Sequence, residues 1–337
     1  MKQWLVALIT SCSISVAVIT PFFLIGERRG EGCCGGAMPV THDMAMHLNQ
    51  MKGFHEGLRA GRIFPRWQEN TNRGFGAPTT IFYPPAVYYV TSILYFVTGD
   101  WVRVIKALYV VVMTLSGLAI FALAKRFFSY GASLTAMAVY LVAPYHLLNH
   151  YQRGALAECL TFIWMPLTLV FVTDLIRHRR EGSPAPFAKV AGLALTWGLF
   201  LCSHPPTAYQ FLLIGGPIIV IAGLIDGRKG ELAYVFGGLI LGFALSSAYL
   251  LPAIAEQGYI HSTDVEETWP YHESYVFQMA SRRYDHQADD FVMRLDSIWL
   301  ITLAGIVGLT IALTTLDRMR ANVRHKAGRS FWLWVIA

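Results

Sequence analysis

Apolar runs of about 20 residues, the length a helix needs to cross the hydrocarbon core of a bilayer, recur along this chain. They begin near Trp4, Trp101, Gly131, Leu156, Phe187, Thr207, Leu232 and Ser297. A further run starts at Phe331 and stops with the sequence at Ala337, which reads as a truncation inside a ninth span. Composition agrees: 55% of residues are hydrophobic and 14% charged, against about 25% charged in soluble domains. Mean hydropathy is +0.45. A soluble enzyme, a disordered chain and a nucleic-acid-binding domain are therefore excluded. The expected fold is all-α: a polytopic transmembrane helical bundle, one integral-membrane domain over 1–337.

Lys and Arg in the short loops set the expected orientation. They gather at Lys125-Arg126, at Arg177, Arg179, Arg180 and Lys189, at Arg228-Lys229, and at Arg318, Arg320, Arg324, Lys326 and Arg329. The intervening turns are nearly free of them: 203–206 has none and 149–155 only Arg153. The basic loops are assigned to the cytoplasm, and Lys2 puts the N-terminus there too. The net charge of +6 is this loop bias.

The assignment constrains the segment before Trp101. An odd number of crossings must separate the outer loop after the first span from Lys125, yet two apolar stretches, 81–97 and 101–124, lie between them. After Pro84-Pro85 only about a dozen residues remain, too few to span, and they are rich in aromatics, which favour the interface. Segment 84–97 is therefore expected to lie along the outer surface, within a first extracytoplasmic loop over 26–100. A later extracytoplasmic loop is expected over 253–296. The first span reads as an uncleaved anchor, since no small-x-small cleavage site follows it. The five cysteines show no CxxC spacing, and Cys33-Cys34 between glycines reads as a linker.

Polar residues sort by side. Nearly all histidines and many acids fall in outer loops or at outer ends of spans, where a wet cavity can hold them. Longer outer loops explain part of this, but less well His146, His150, Glu158 and His204, which flank short turns. Asp43 and His47 share a helical face and could converge on a hydroxyl, phosphate or metal; Asp43 could equally be a helix N-cap. Arg153 could fork onto phosphate oxygens or lock a helix start by pairing with Glu158. His204-Pro205-Pro206 could be a ligand contact or a helix stop.

Several motifs carry a resemblance. Asp43-x-x-x-His47, Gly61-Arg62-Ile63-Phe64-Pro65-Arg66-Trp67, Gly74-Phe75-Gly76-Ala77-Pro78, Phe82-Tyr83-Pro84-Pro85, Ala143-Pro144-Tyr145, Arg153-Gly154-Ala155-Leu156-Ala157-Glu158, Ser203-His204 and Leu245–Pro252 occur in this order. Over roughly Met1–Pro252 they resemble the 6-pyruvoyl-tetrahydropterin-synthase-related membrane proteins, akin to YfhO-type proteins. The clustered zinc histidines of a soluble pterin synthase are missing.

More distantly, an early acid, a Pro-Pro surface helix and then the second span resemble the GT-C glycosyltransferases. That resemblance implies transfer of a sugar from a polyprenyl-phosphate donor to an acceptor on the extracytoplasmic face of a bacterial inner membrane. By position Asp43 is the general base. Arg153, or Arg66, would steady the departing phosphate, and His47, Tyr83, Glu158 and His204 would shape the substrate pocket. Met44 follows Asp43 where many such enzymes have a second acid, so a divalent metal stays an open expectation. The other reading is a non-enzymatic lipid-linked glycan transporter or cell-envelope assembly protein. Its signature would be polar residues along a path inside the spans. The partners expected are the lipid-linked sugar and membrane lipid, with no nucleic acid.

Overall fold

The structure is a computed structural model describing residues 2–24, 41–69, 71–178, 186–225 and 227–259. The chain divides into two compact units, Met1–Ala253 and Ile254–Ala337. The first is described here; of the second, only the end of one helix and the 3-10 turn Gln257–Tyr259 fall within the described residues. The spans expected from Ser297 and Phe331, the basic cluster 318–329, Cys33-Cys34, and most of the loop 253–296 lie outside them.

The elements are α1 (Lys2–Leu24), α2 (Met44–Arg59), α3 (Thr79–Phe82), α4 (Ala86–Thr98), α5 (Trp101–Ala124), α6 (Tyr130–Leu141), α7 (Pro144–Leu148), α8 (Leu156–Ile176), α9 (Phe187–Ser203), α10 (Pro205–Ile225) and α11 (Lys229–Ala255). Among the described residues there is no strand, only an isolated antiparallel bridge between Gln68 and Ala77. The fold is an all-α bundle of apolar helices. Helices α1, α5, α8, α10 and α11 are long and apolar enough to cross a membrane. The span expected from Gly131 is not one continuous helix. It breaks after Leu141 and bends by 40° into α7 and the π turn Asn149–Arg153, because Pro144 has no N–H to continue the α6 ladder and starts a new helix instead. The Phe187 span, α9, is shorter, at 17 residues.

Side-chain contacts fix which helix ends lie together. Arg126 meets Asp174 in a two-pronged ion pair, Nε–Oδ1 2.7 Å and Nη2–Oδ2 2.6 Å, and Arg177 donates to the Arg126 carbonyl at 2.8 Å. The basic loops after α5 and α8 therefore share one end of the bundle. Lys125 Nζ also reaches Gln3 Oε1 at 3.3 Å, so α1 starts at that end. Helix α1 finishes at the opposite end, where α5 begins. Zero or two crossings must lie between them, so α4, 13 residues long, cannot be a lone crossing.

Two helices contain prolines whose broken ladders are repaired from outside, and a third has a similar bond near its proline. Pro166 in α8 leaves the Phe162 carbonyl without its helical donor, and the Tyr140 hydroxyl fills it at 2.9 Å. Pro252 in α11 frees the Ala248 carbonyl, which accepts from Arg66 Nη2 at 3.3 Å. Near Pro21 in α1, the Val18 carbonyl accepts from the Tyr151 hydroxyl. A carbonyl without a donor at membrane depth is costly, and these bonds also dock a neighbouring element on each helix. Helices α9 and α11 cross where both are small: a Cβ on Gly242 would lie 2.9 Å from the Ala194 carbonyl oxygen.

Candidate functional site

The site forms at the end of the bundle away from the basic loops, where the chain entering α2 lies against the π turn before α8. The His42 amide donates to the Gln152 carbonyl at 3.0 Å and the Asp43 amide to the Arg153 carbonyl at 2.9 Å. Gly154 permits this approach. Its φ is +64°, a left-handed conformation, and any Cβ there would run into Thr41 Oγ1. Gly154→Ala is expected to cost about 1–2 kcal/mol for the left-handed backbone alone, plus the displacement of Thr41. Thermal unfolding in detergent checks this, with Gly131→Ala as the control because a Cβ at Gly131 meets nothing within 4 Å.

Asp43 precedes α2, but its side chain makes no capping bond, and its backbone (φ −100°, ψ −5°) is helical rather than extended. The capping reading therefore fails. The half-buried carboxylate makes no hydrogen bond or ion pair among the described residues. Its charge acts on Tyr83, Tyr109 and Arg153. At Tyr83, burial first and Asp43 second push the phenol upward, so it stays a neutral donor.

Arg153 and Glu158 form the expected pair, Nη1 to Oε2 at 2.6 Å, with side chains 36% and 5% exposed. Arg153 Nη1 also reaches Asn149 Oδ1 at 2.8 Å and the Tyr145 hydroxyl at 3.3 Å. The Tyr145 hydroxyl in turn donates to Glu158 Oε1. All these bonds use one guanidinium nitrogen; Nε and Nη2 make none among the described residues. Half of the planar fork remains available to an oxyanion.

His204 ends α9 and begins α10. Its Nδ1 accepts from the Thr207 hydroxyl at 2.7 Å and lies 3.4 Å from the Thr207 amide. It is thus both helix stop and cap. With Nδ1 accepting, Nε2 carries the proton, and the ring lies within the fields of Glu158 and Arg153.

His47, fully buried, faces Tyr88 (Nδ1 to hydroxyl, 3.3 Å) and packs edge-on to Tyr83 at 5.7 Å between centroids. Burial holds its pKa down at about 4. In the unfolded chain the group titrates near 6.5, so lowering the pH from 6.5 towards 4 protonates the unfolded state first and drains stability across that window. The slope of melting temperature against pH should be shallower there in His47→Gln than in the parent.

Arg66 makes its contacts elsewhere: the Ala248 carbonyl, and the Phe64 ring at 5.2 Å. Of the residues singled out in the sequence, Asp43, His47, Tyr83, Arg153, Glu158 and His204 are linked by contact or field. Sequence reading missed Tyr145, Asn149 and Tyr88. The first two repeat at four-residue spacing up to Arg153, a helical signal hidden by the unexpected π turn. Among the described residues no three His, Cys, Asp or Glu side chains group to hold a metal ion. The Asp43 and His47 side chains share no hydrogen bond or ion pair among the described residues; His47 faces Tyr88 and Tyr83 instead.

Fold and site together define an integral membrane protein with a cluster of polar side chains at one end of a helical bundle. A family model described as the 6-pyruvoyl-tetrahydropterin synthase related domain, a membrane protein, matches residues 80–334. The chain belongs to this family. The match takes in Phe82–Pro85, the Arg153–Glu158 segment and His204, and starts after Asp43, His47 and Arg66. No curated protein matches the chain.

Proposed function

We propose that this protein is a GT-C-like glycosyltransferase moving a sugar from a polyprenyl-phosphate donor to an acceptor on the extracytoplasmic face of a bacterial inner membrane, with its N-terminus in the cytoplasm. One observation carries the reading: an Asp43 carboxylate without a structural bond sits within the field of Arg153, whose guanidinium has donors to spare. The acceptor hydroxyl passes its proton to Asp43 as its oxygen bonds to the anomeric carbon. The bond from that carbon to the phosphate oxygen breaks, and the electron pair leaves on the lipid phosphate, beside Arg153. Tyr83 and His204 Nε2 donate hydrogen bonds to sugar or phosphate oxygens, and Glu158 holds Arg153. His47 shapes the wall beside Tyr83. Arg66 serves as an anchor on the outer end of α11. Transfer by the purified full-length protein, assayed with extracted polyprenyl-phosphate sugars, tests the reading.

One observation favours the alternative of a lipid-linked glycan transporter or assembly protein. Buried polar groups continue inward from the cluster: the His150 and His146 rings lie tilted with centroids 5.3 Å apart, and His146 Nε2 lies 3.5 Å from Ser116 Oγ, past the middle of α5. Movement of labelled lipid-linked glycan across proteoliposome membranes, without sugar transfer, would select that reading.

A further inference from the structure

The short hairpin between α2 and α3 presents large apolar side chains outward. Ile63 is 85% exposed, Phe75 81% and Trp67 49%. The hairpin is well built: Gln68 and Ala77 exchange backbone hydrogen bonds at 3.0 and 3.1 Å, and Trp67 lies so close over Gly76 that a Cβ there would strike its indole nitrogen. Its tip turns through two left-handed non-glycine residues, Asn72 at φ 51° and Arg73 at φ 57°. Exposed apolar side chains on an ordered hairpin mark an interaction surface rather than a loose loop.

Its anchorage gives its depth. Arg66 is hydrogen-bonded to the carbonyl freed by Pro252, less than two turns before the end of α11. The Ile63 carbonyl accepts from Tyr89 of α4 at 2.6 Å. The first contact puts the hairpin near the end of a helix long and apolar enough to span, and the second ties it to α4. Apolar and aromatic side chains at that level favour the interface. Alongside them Arg66 and Arg73 are exposed, and Arg73 makes no ion pair among the described residues. Arginines beside interfacial aromatics fit phosphate groups.

We infer that this hairpin is a membrane-docking element: Ile63, Trp67 and Phe75 enter the leaflet at the Ala255 end of α11, and Arg66 and Arg73 hold anionic phospholipid headgroups. The inference stands apart from the sugar-transfer reading. To test it, a nitrobenzoxadiazole dye is placed on full-length Phe75→Cys in nanodiscs of phosphatidylcholine with increasing phosphatidylglycerol. The parent chain, treated identically, is the blank for its own cysteines. Quenching by headgroup-nitroxide phosphatidylglycerol is expected, with little quenching by aqueous iodide. Adding Arg73→Gln should raise the phosphatidylglycerol fraction needed for half-quenching about fivefold. Quenching by iodide alone, or by neither agent, would overturn the inference, the first placing the hairpin in water and the second under protein. Equal quenching by neutral and anionic nitroxide lipids would overturn the headgroup assignment.

Discussion

Asp43→Asn is expected to lower sugar transfer by about 10²–10⁴ while leaving the protein folded and inserted. The substitution keeps the size and shape of the side chain and removes only its capacity to take a proton. Its structural cost should be small, since the carboxylate neither caps α2 nor pairs with a cation. What holds position 43 is its backbone amide on the Arg153 carbonyl, and asparagine has the same amide. The measurement is transfer from extracted polyprenyl-phosphate sugars, normalised to membrane level and melting temperature. Near-normal transfer by Asp43→Asn would remove the catalytic assignment. If the parent itself moves no sugar from any donor, the transporter reading moves ahead.

Arg153→Ala should do two things that separate on different readouts. Glu158 is only 5% exposed, and removing its cation strands a buried carboxylate. Breaking a buried pair typically costs about 3–5 kcal/mol. Tyr145 still donates to Glu158, and Arg153 is itself a third exposed, so a loss of about 3 kcal/mol is expected at the low end of that range. Adding Glu158→Gln should recover part of it, because the stranded charge is then gone. Arg153→Lys should keep most of the stability through a point charge, yet lose the fork that reaches a phosphate. Under the transfer reading it therefore lowers activity while leaving the melting temperature near the parent's. If Arg153→Ala melts with the parent, the pair does not lock the start of α8. If Arg153→Lys transfers normally, the guanidinium does not engage the leaving phosphate.

Much of the architecture was legible because one physical demand dominates it. Apolar runs long enough to span announced α1, α5, α8, α10 and α11 within a few residues of their starts. The bias of Lys125, Arg126 and Arg177 placed two loops together, where the Arg126–Asp174 pair joins them. Length and the Pro84-Pro85 stop ruled out α4 as a lone crossing. The break at Pro144 was less legible, since the run from Gly131 up to the turn at 149–155 reads as continuous by hydropathy. Hydropathy registers the transfer cost of side chains, not whether the ladder continues through a residue without an N–H.

The candidate site was half legible. Asp43, Arg153, Glu158 and His204 drew attention as polar residues near expected helix ends, where burial would be costly. What each one does was beyond the sequence. Asp43 before a helix has the pattern of a cap, and only the backbone angles and the side-chain position show that it is not one. Arg66, read as a phosphate ligand, has one guanidinium nitrogen on a carbonyl freed by Pro252, a residue 186 positions later in the chain. The sequence by itself determined that this chain is a helical membrane bundle with its basic loops at one end, because solvation energy is paid residue by residue and can be read locally. Tertiary structure decided which polar groups satisfy one another and which stay free. Hydrogen bonding is a matter of position and direction to within fractions of an ångström, and Gly154, Thr41 and the π turn set that geometry only once the segments have packed.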